Sequence, residues 1–113
     1  MRQRIELVGF ERFDNAVKQR IITADSPLVE KCTKIFGEEH FFGLKIKLDK
    51  VRERGDHIIY EVKGTIEASG MSIYAVSSNR EILNAMDELV DELKRQLLKM
   101  KEKSLKQREG RGV

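Results

Sequence analysis

Over the last third of the chain, Ile82, Met86, Leu89, Val90, Leu93, Leu97 and Met100 recur at three- and four-residue spacing. That period puts one apolar stripe on a long helix and is incompatible with a strand. A helix with such a stripe must bury it against another layer, which rules out an all-β fold and demands a partner surface. The same helix changes sign along its length. Glu81, Asp87, Glu88, Asp91 and Glu92 occupy its first half, and Lys94, Arg95, Lys99, Lys101 and Lys103 its second.

The partner surface is legible upstream. Residues Arg4 to Phe10 contain Ile5, Leu7 and Val8 and predict a short strand. Phe13, Ala16, Val17, Ile21 and Ala24 fit helical spacing, with Asp14 or Asn15 as a cap. Asp25-Ser26-Pro27 interrupts that pattern, and Asp25 or Ser26 suits an N-cap with proline in the next first turn. Leu28, Val29, Cys32, Ile35 and Phe36 form a further stripe ending at Gly37, so two helical pieces separated at Pro27 are expected, with one kinked helix as the alternative.

From Gly43 the period becomes two. Leu44, Ile46 and Leu48 alternate with Lys45, Lys47 and Asp49. The polar run from Arg52 to Asp56 contains Gly-Asp, a hairpin signal. Ile58, Tyr60, Val62 and Ile66 continue the alternation in a second strand, with a bulge anticipated at Gly64. After a turn at Ala68-Ser69-Gly70, Met71, Ile73 and Ala75 alternate with Ser72, Tyr74 and Val76. Ser78 and Glu81 have capping-box spacing before the last helix. Phe41 and Phe42 are expected in the core or at its edge. The order is β-α-β-β-β-α, an α+β fold: a four-stranded sheet with the helices packed on one face.

The chain has 113 residues, 36% of them charged and 40% hydrophobic, with a net charge of +3. That length suits a single domain, here expected over 1–103, followed by a basic, flexible tail over 104–113. One cysteine precludes an internal disulfide, no apolar run reaches the ~18 residues of a span, and no signal-peptide core follows Met1, so a cytoplasmic protein is expected. Catalysis has little support. His40 and His57 lack a nucleophile or carboxylate at a diagnostic spacing, Cys32 lies on an apolar stripe, and there is no phosphate-cradling glycine loop. The acids at the start of the last helix read as a solvated, dipole-matched face. No enzyme, no metal and no cofactor are expected.

The bases point elsewhere. Lys94, Arg95, Lys99, Lys101 and Lys103 have few acids interspersed, and a second set, Lys18, Arg20, Lys31 and Lys34, lies on the earlier helical stretch. Two cationic helices side by side would make a patch able to follow a phosphate backbone. Tyr60 is expected to pack on the sheet. Tyr74, on the polar face, is balanced between packing and stacking on bases.

The run Asn84-Ala85-Met86-Asp87-Glu88-Leu89-Val90-Asp91-Glu92-Leu93-Lys94-Arg95-Gln96-Leu97-Leu98-Lys99-Met100-Lys101-Glu102-Lys103 resembles the last helix of the ribosome hibernation promoting factor and ribosome-associated inhibitor A family. Gly70-Met71-Ser72-Ile73-Tyr74-Ala75-Val76-Ser77 is similar to the strand before it. The resemblance extends from about Gly43 to Lys103, and the element order agrees with it. Leu83 stands where the family often has tyrosine, and the first helix, usually continuous there, is interrupted at Asp25-Ser26-Pro27. The resemblance implies a short-form stress or stationary-phase protein that binds small-subunit rRNA in the mRNA and tRNA channel and blocks translation by steric exclusion. It implies RNA contact at Lys94, Arg95 and Lys99, with Lys101 and Lys103 in a lysine-rich end, and requires no membrane, small-molecule substrate or oligomer. A generic double-stranded RNA binder and a protein-interaction module are the alternatives.

Overall fold

The computed structural model describes the backbone of residues 4–111 and the side chains of residues 4–101. Its elements are β1 (Ile5–Val8), α1 (Asn15–Phe36), β2 (Phe41–Arg54), β3 (His57–Ala68), β4 (Met71–Asn79) and α2 (Ile82–Arg111). They form the expected α+β fold, a four-stranded sheet in the order β1-β2-β3-β4 with two helices. β1 runs parallel to β2, and the other neighbours are antiparallel. The crossover through α1 is what a parallel β1–β2 pair requires. Lys103 and the tail expected over 104–113 lie outside the described side chains.

The core lies between the helices and one sheet face. Ile21, Leu28 and Cys32 of α1 and Ala85, Met86, Leu89, Leu93 and Leu97 of α2 are fully buried with Leu44, Ile46, Val62 and Ile66 of the sheet. The stripe of α2 buries as its period dictates, with Met100 packed at the edge. Each large aliphatic side chain removed from water in this way contributes roughly 1.5–3 kcal/mol.

Pro27 does not divide the first helix. A single helix spans Asn15–Phe36 with Pro27 inside it, so Asp25 and Ser26 are interior residues and neither caps a second helix. Proline there removes the amide that would bond the Thr23 carbonyl, yet both residues are exposed, so water can satisfy that oxygen. Burial of Ile21, Leu28 and Cys32 on either side of the break outweighs the loss. Asp14 caps the start by accepting from the Val17 amide at 2.9 Å, and Gly37, at φ +87°, ends the helix with its amide on the Thr33 carbonyl. Ala16 and Ala24, expected on the apolar stripe, are exposed.

Gly64 is no bulge. It pairs in register between Ile46 and Ala75, and a Cβ there would lie 2.9 Å from Leu93 Cδ1 and 3.0 Å from Leu89 Cδ2. The bare backbone lets α2 descend onto the sheet. The irregularities fall instead in β2, between Phe41 and Gly43 and between Leu48 and Lys50. The first turns Phe42 away from the core, and it is 62% exposed where a place in the core or at its edge was expected. The second lets β2 continue to Arg54, so the hairpin turn is only Gly55-Asp56, with Gly55 at φ +59° as a type II′ turn requires. The capping box also fails to form, because Ser78 is still in β4. Asn79 accepts from the Glu81 amide at 3.1 Å instead, and Asn84 donates to Glu81.

Candidate nucleic-acid interface

Strand direction fixes how the two cationic helices lie. α1 returns antiparallel to β1 and β2, and α2 returns antiparallel to β4, which is itself parallel to β2. The helices therefore run the same way. The charge of Asp87 of α2 reaches Asp25 of α1. Lys34 lies nine residues past Asp25 and Arg95 eight past Asp87, about 13.5 and 12 Å along their axes at 1.5 Å per residue. With the helices sharing a direction, Lys31 and Lys34 in the second half of α1 and Lys94 and Arg95 in α2 lie toward the same end of the sheet. The fold does not bring Lys18 and Arg20 there. They lie in the first turns of α1, toward the end of the sheet at which α2 starts.

The bases of α2 also divide between two flanks. Ser77 Oγ and Asn79 Nδ2 donate to Glu88 at 2.9 and 3.0 Å, and Gln96 Nε2 donates to the Tyr74 carbonyl at 2.9 Å. That flank faces β4, and Arg95, seven residues beyond Glu88, follows it. Asp87 faces α1, and Lys94 and Lys101 follow Asp87 at seven-residue steps. Lys94, Lys31 and Lys18 are half-buried, whereas Arg95, Lys99, Lys101, Lys34 and Arg20 are exposed. Arg95 is not free of acids as its local sequence suggested: its guanidinium meets Glu92 at 3.0 Å. Such an exposed pair is weak and exchanges readily for a phosphate.

Cys32 is fully buried, and burial pushes its thiol up to about 11, which makes it a packing residue. Among the described residues, no group of three or more His, Cys, Asp or Glu side chains is placed to hold a metal. None of the described helices is long and apolar enough to cross a membrane.

Two features were not read from the sequence. The first is Asp25, whose carboxylate is fully buried with no hydrogen-bond partner on either oxygen. Burial, and then the charge of Asp87, raises its pKa from 3.8 to about 7. Its spacing from Ile21, Leu28 and Cys32 places it in the stripe, and Pro27 concealed that signal. The second is the sheet face turned away from the helices. It carries Lys45, Lys47, Lys50, Arg52, Arg54 and Lys63, with Tyr74 50% exposed. There Asp49 contacts Lys63 at 3.3 Å and Lys47 at 3.9 Å. Partial burial pushes the Asp49 carboxyl up, but the hydrogen bond and charge of Lys63, with Glu61 and Lys47, outweigh it and the net shift is downward. Hydrogen bonds to Asp49 and Tyr74 raise the Lys63 ammonium in turn.

No family model matches this chain, and no curated protein matches it.

Proposed function

We propose that this chain is a non-catalytic RNA-binding domain that docks on rRNA of the small ribosomal subunit and inhibits translation by occupying the path of mRNA and tRNA. The observation that carries this reading is the common direction of the two helices, which puts Lys31 and Lys34 of α1 and Lys94 and Arg95 of α2 toward the same end of the helix layer. Continuity of α1 through Pro27 adds support, since the sequence resemblance to the hibernation factors was interrupted at that point. Lys94, Arg95, Lys99 and Lys101 neutralise phosphates along α2, and Lys31 and Lys34 extend the contact from α1. Occupancy alone blocks the channel, so no bond is made or broken.

Sedimentation of the purified chain with 30S and 70S ribosomes at rising salt tests this. Co-sedimentation at low salt that falls as salt rises is expected, because each phosphate contact adds up to ~0.9 to the slope of log affinity against log salt. Replacing Lys94, Arg95 and Lys99 together with glutamate should abolish it. Failure to co-sediment even at low salt would sink the reading. Equal affinity for arbitrary RNA duplexes would assign a generic double-stranded RNA binder instead.

A further inference from the structure

Along β2, alternation alone would place Lys45, Lys47, Asp49, Val51 and Glu53 on one face. The register shift between Leu48 and Lys50 changes that parity. Beyond it, Val51 shares the helix-side face, and Lys50, Arg52 and Arg54 join Lys45 and Lys47 on the open face, paired with Glu61, Ile59 and His57 of β3. One extra residue thus assembles five cations in a row on a single strand. The row spans about 30 Å at ~3.3 Å per residue.

The acids of this face do not cancel the row. Glu6 and Glu67 lie at the Lys45 end, Asp49 is held by Lys47 and Lys63, and Glu61 stands opposite Lys50, so these four acids face the five cations of the row and Lys63. At the other end Arg52 and Arg54 make no ion pair among the described residues and line a cleft of about 280 Å³ with Ile59, Glu61 and Ser78. The hairpin runs past β4, whose last pairing is Asn79 with Tyr60, so both arginines stand on a two-stranded arm open to solvent. Across β3 from Lys45 and Lys47, Tyr74 and Val76 are 50% and 41% exposed on the same face.

We propose that the open sheet face is a second RNA-binding surface, on which the cationic row of β2 follows the phosphates of a single strand while Tyr74 stacks on a base. Forked guanidinia two residues apart, with the Ser78 hydroxyl beside them, suit phosphate oxygens. An acidic protein would use the charges and leave the exposed ring and Val76 uncovered, whereas every base offers a π-face to them. A duplex fits less well, because its bases are already stacked. This surface lies opposite the helices and does not depend on the ribosomal reading.

Fluorescence anisotropy with a short labelled single-stranded RNA, on the full chain over a range of salt, tests it. The Arg52→Ala/Arg54→Ala pair should weaken binding about tenfold and lower the salt slope by about 1.4, at ~0.7 per single-strand phosphate. The Arg52→Lys/Arg54→Lys pair should retain that slope. Tyr74→Ala should weaken binding about fivefold or more with the slope unchanged. Reversing Lys94, Arg95 and Lys99 should leave oligonucleotide binding within about twofold while removing ribosome binding, so the two surfaces fail independently. Unchanged affinity in the doubly alanine-substituted chain, with its melting transition intact, would overturn the proposal. So would a polyglutamate peptide bound as tightly through the same arginines.

Discussion

At Asp25 two penalties add, since the carboxylate loses its water and also faces the charge of Asp87. Its pKa is 3.8 as a free side chain and about 7 in the fold. Between those values the unfolded chain ionises while the folded chain keeps the proton, so the native state binds more protons and stability falls as pH rises. The full contribution is present below about pH 4 and is lost by about pH 7, a difference of at most about 4 kcal/mol. The urea midpoint of the wild-type chain should therefore drop across that window relative to Asp25→Asn, which has no proton to lose. A constant difference between the two would exclude the assignment. Gly64 is a second position where one atom matters. In Gly64→Ala the added Cβ would press on Leu89 and Leu93, both fully buried, and α2 must rise or repack. Equilibrium unfolding should show a loss of about 1–3 kcal/mol.

Elements were legible wherever one period ran uninterrupted. α2 follows its stripe from Ile82 to Leu97, and β4 follows its alternation through Ile73 and Ala75. Misreadings fall where one residue breaks a period that tertiary packing then restores. Pro27 interrupts local helix chemistry, but Ile21, Asp25, Leu28 and Cys32 keep one buried face through it. The extra residue in β2 reverses the alternation after Leu48, so Arg52 to Arg54 resemble a polar turn although they belong to the strand. The cations of the helices were visible as sequence clusters. The row on the sheet was not, because its members change parity midway. Pro27→Ala tests the balance in α1. It restores a donor to the Thr23 carbonyl and removes a helix penalty of about 3 kcal/mol, offset by hydration of that exposed carbonyl and by greater freedom of the unfolded chain. A net gain of about 1–2 kcal/mol in unfolding free energy is expected, and a loss would mean that α1 requires the proline geometry.

Over the whole molecule, chain direction decides which charges act together. Had β1 paired antiparallel with β2, no crossover would be required, and the first helix need not run alongside α2 in the same sense. With the parallel pair, the helices share a direction, and the basic residues of α1 fall into two groups, one in each half of the helix. Lys31 and Lys34 lie in the second half, toward the end of the sheet that the cationic half of α2 also approaches, so their potentials reinforce one another. Lys18 and Arg20 lie in the first half, toward the end at which α2 begins with its acidic residues. Four residues that look equivalent in sequence therefore differ in effect. Lys31→Glu/Lys34→Glu should weaken 30S co-sedimentation about tenfold and flatten its salt dependence, whereas Lys18→Glu/Arg20→Glu should remain within about twofold of the wild type. The reverse ranking would mean that the ribosomal RNA crosses the starts of the helices, and the bases of α2 would no longer define the contact.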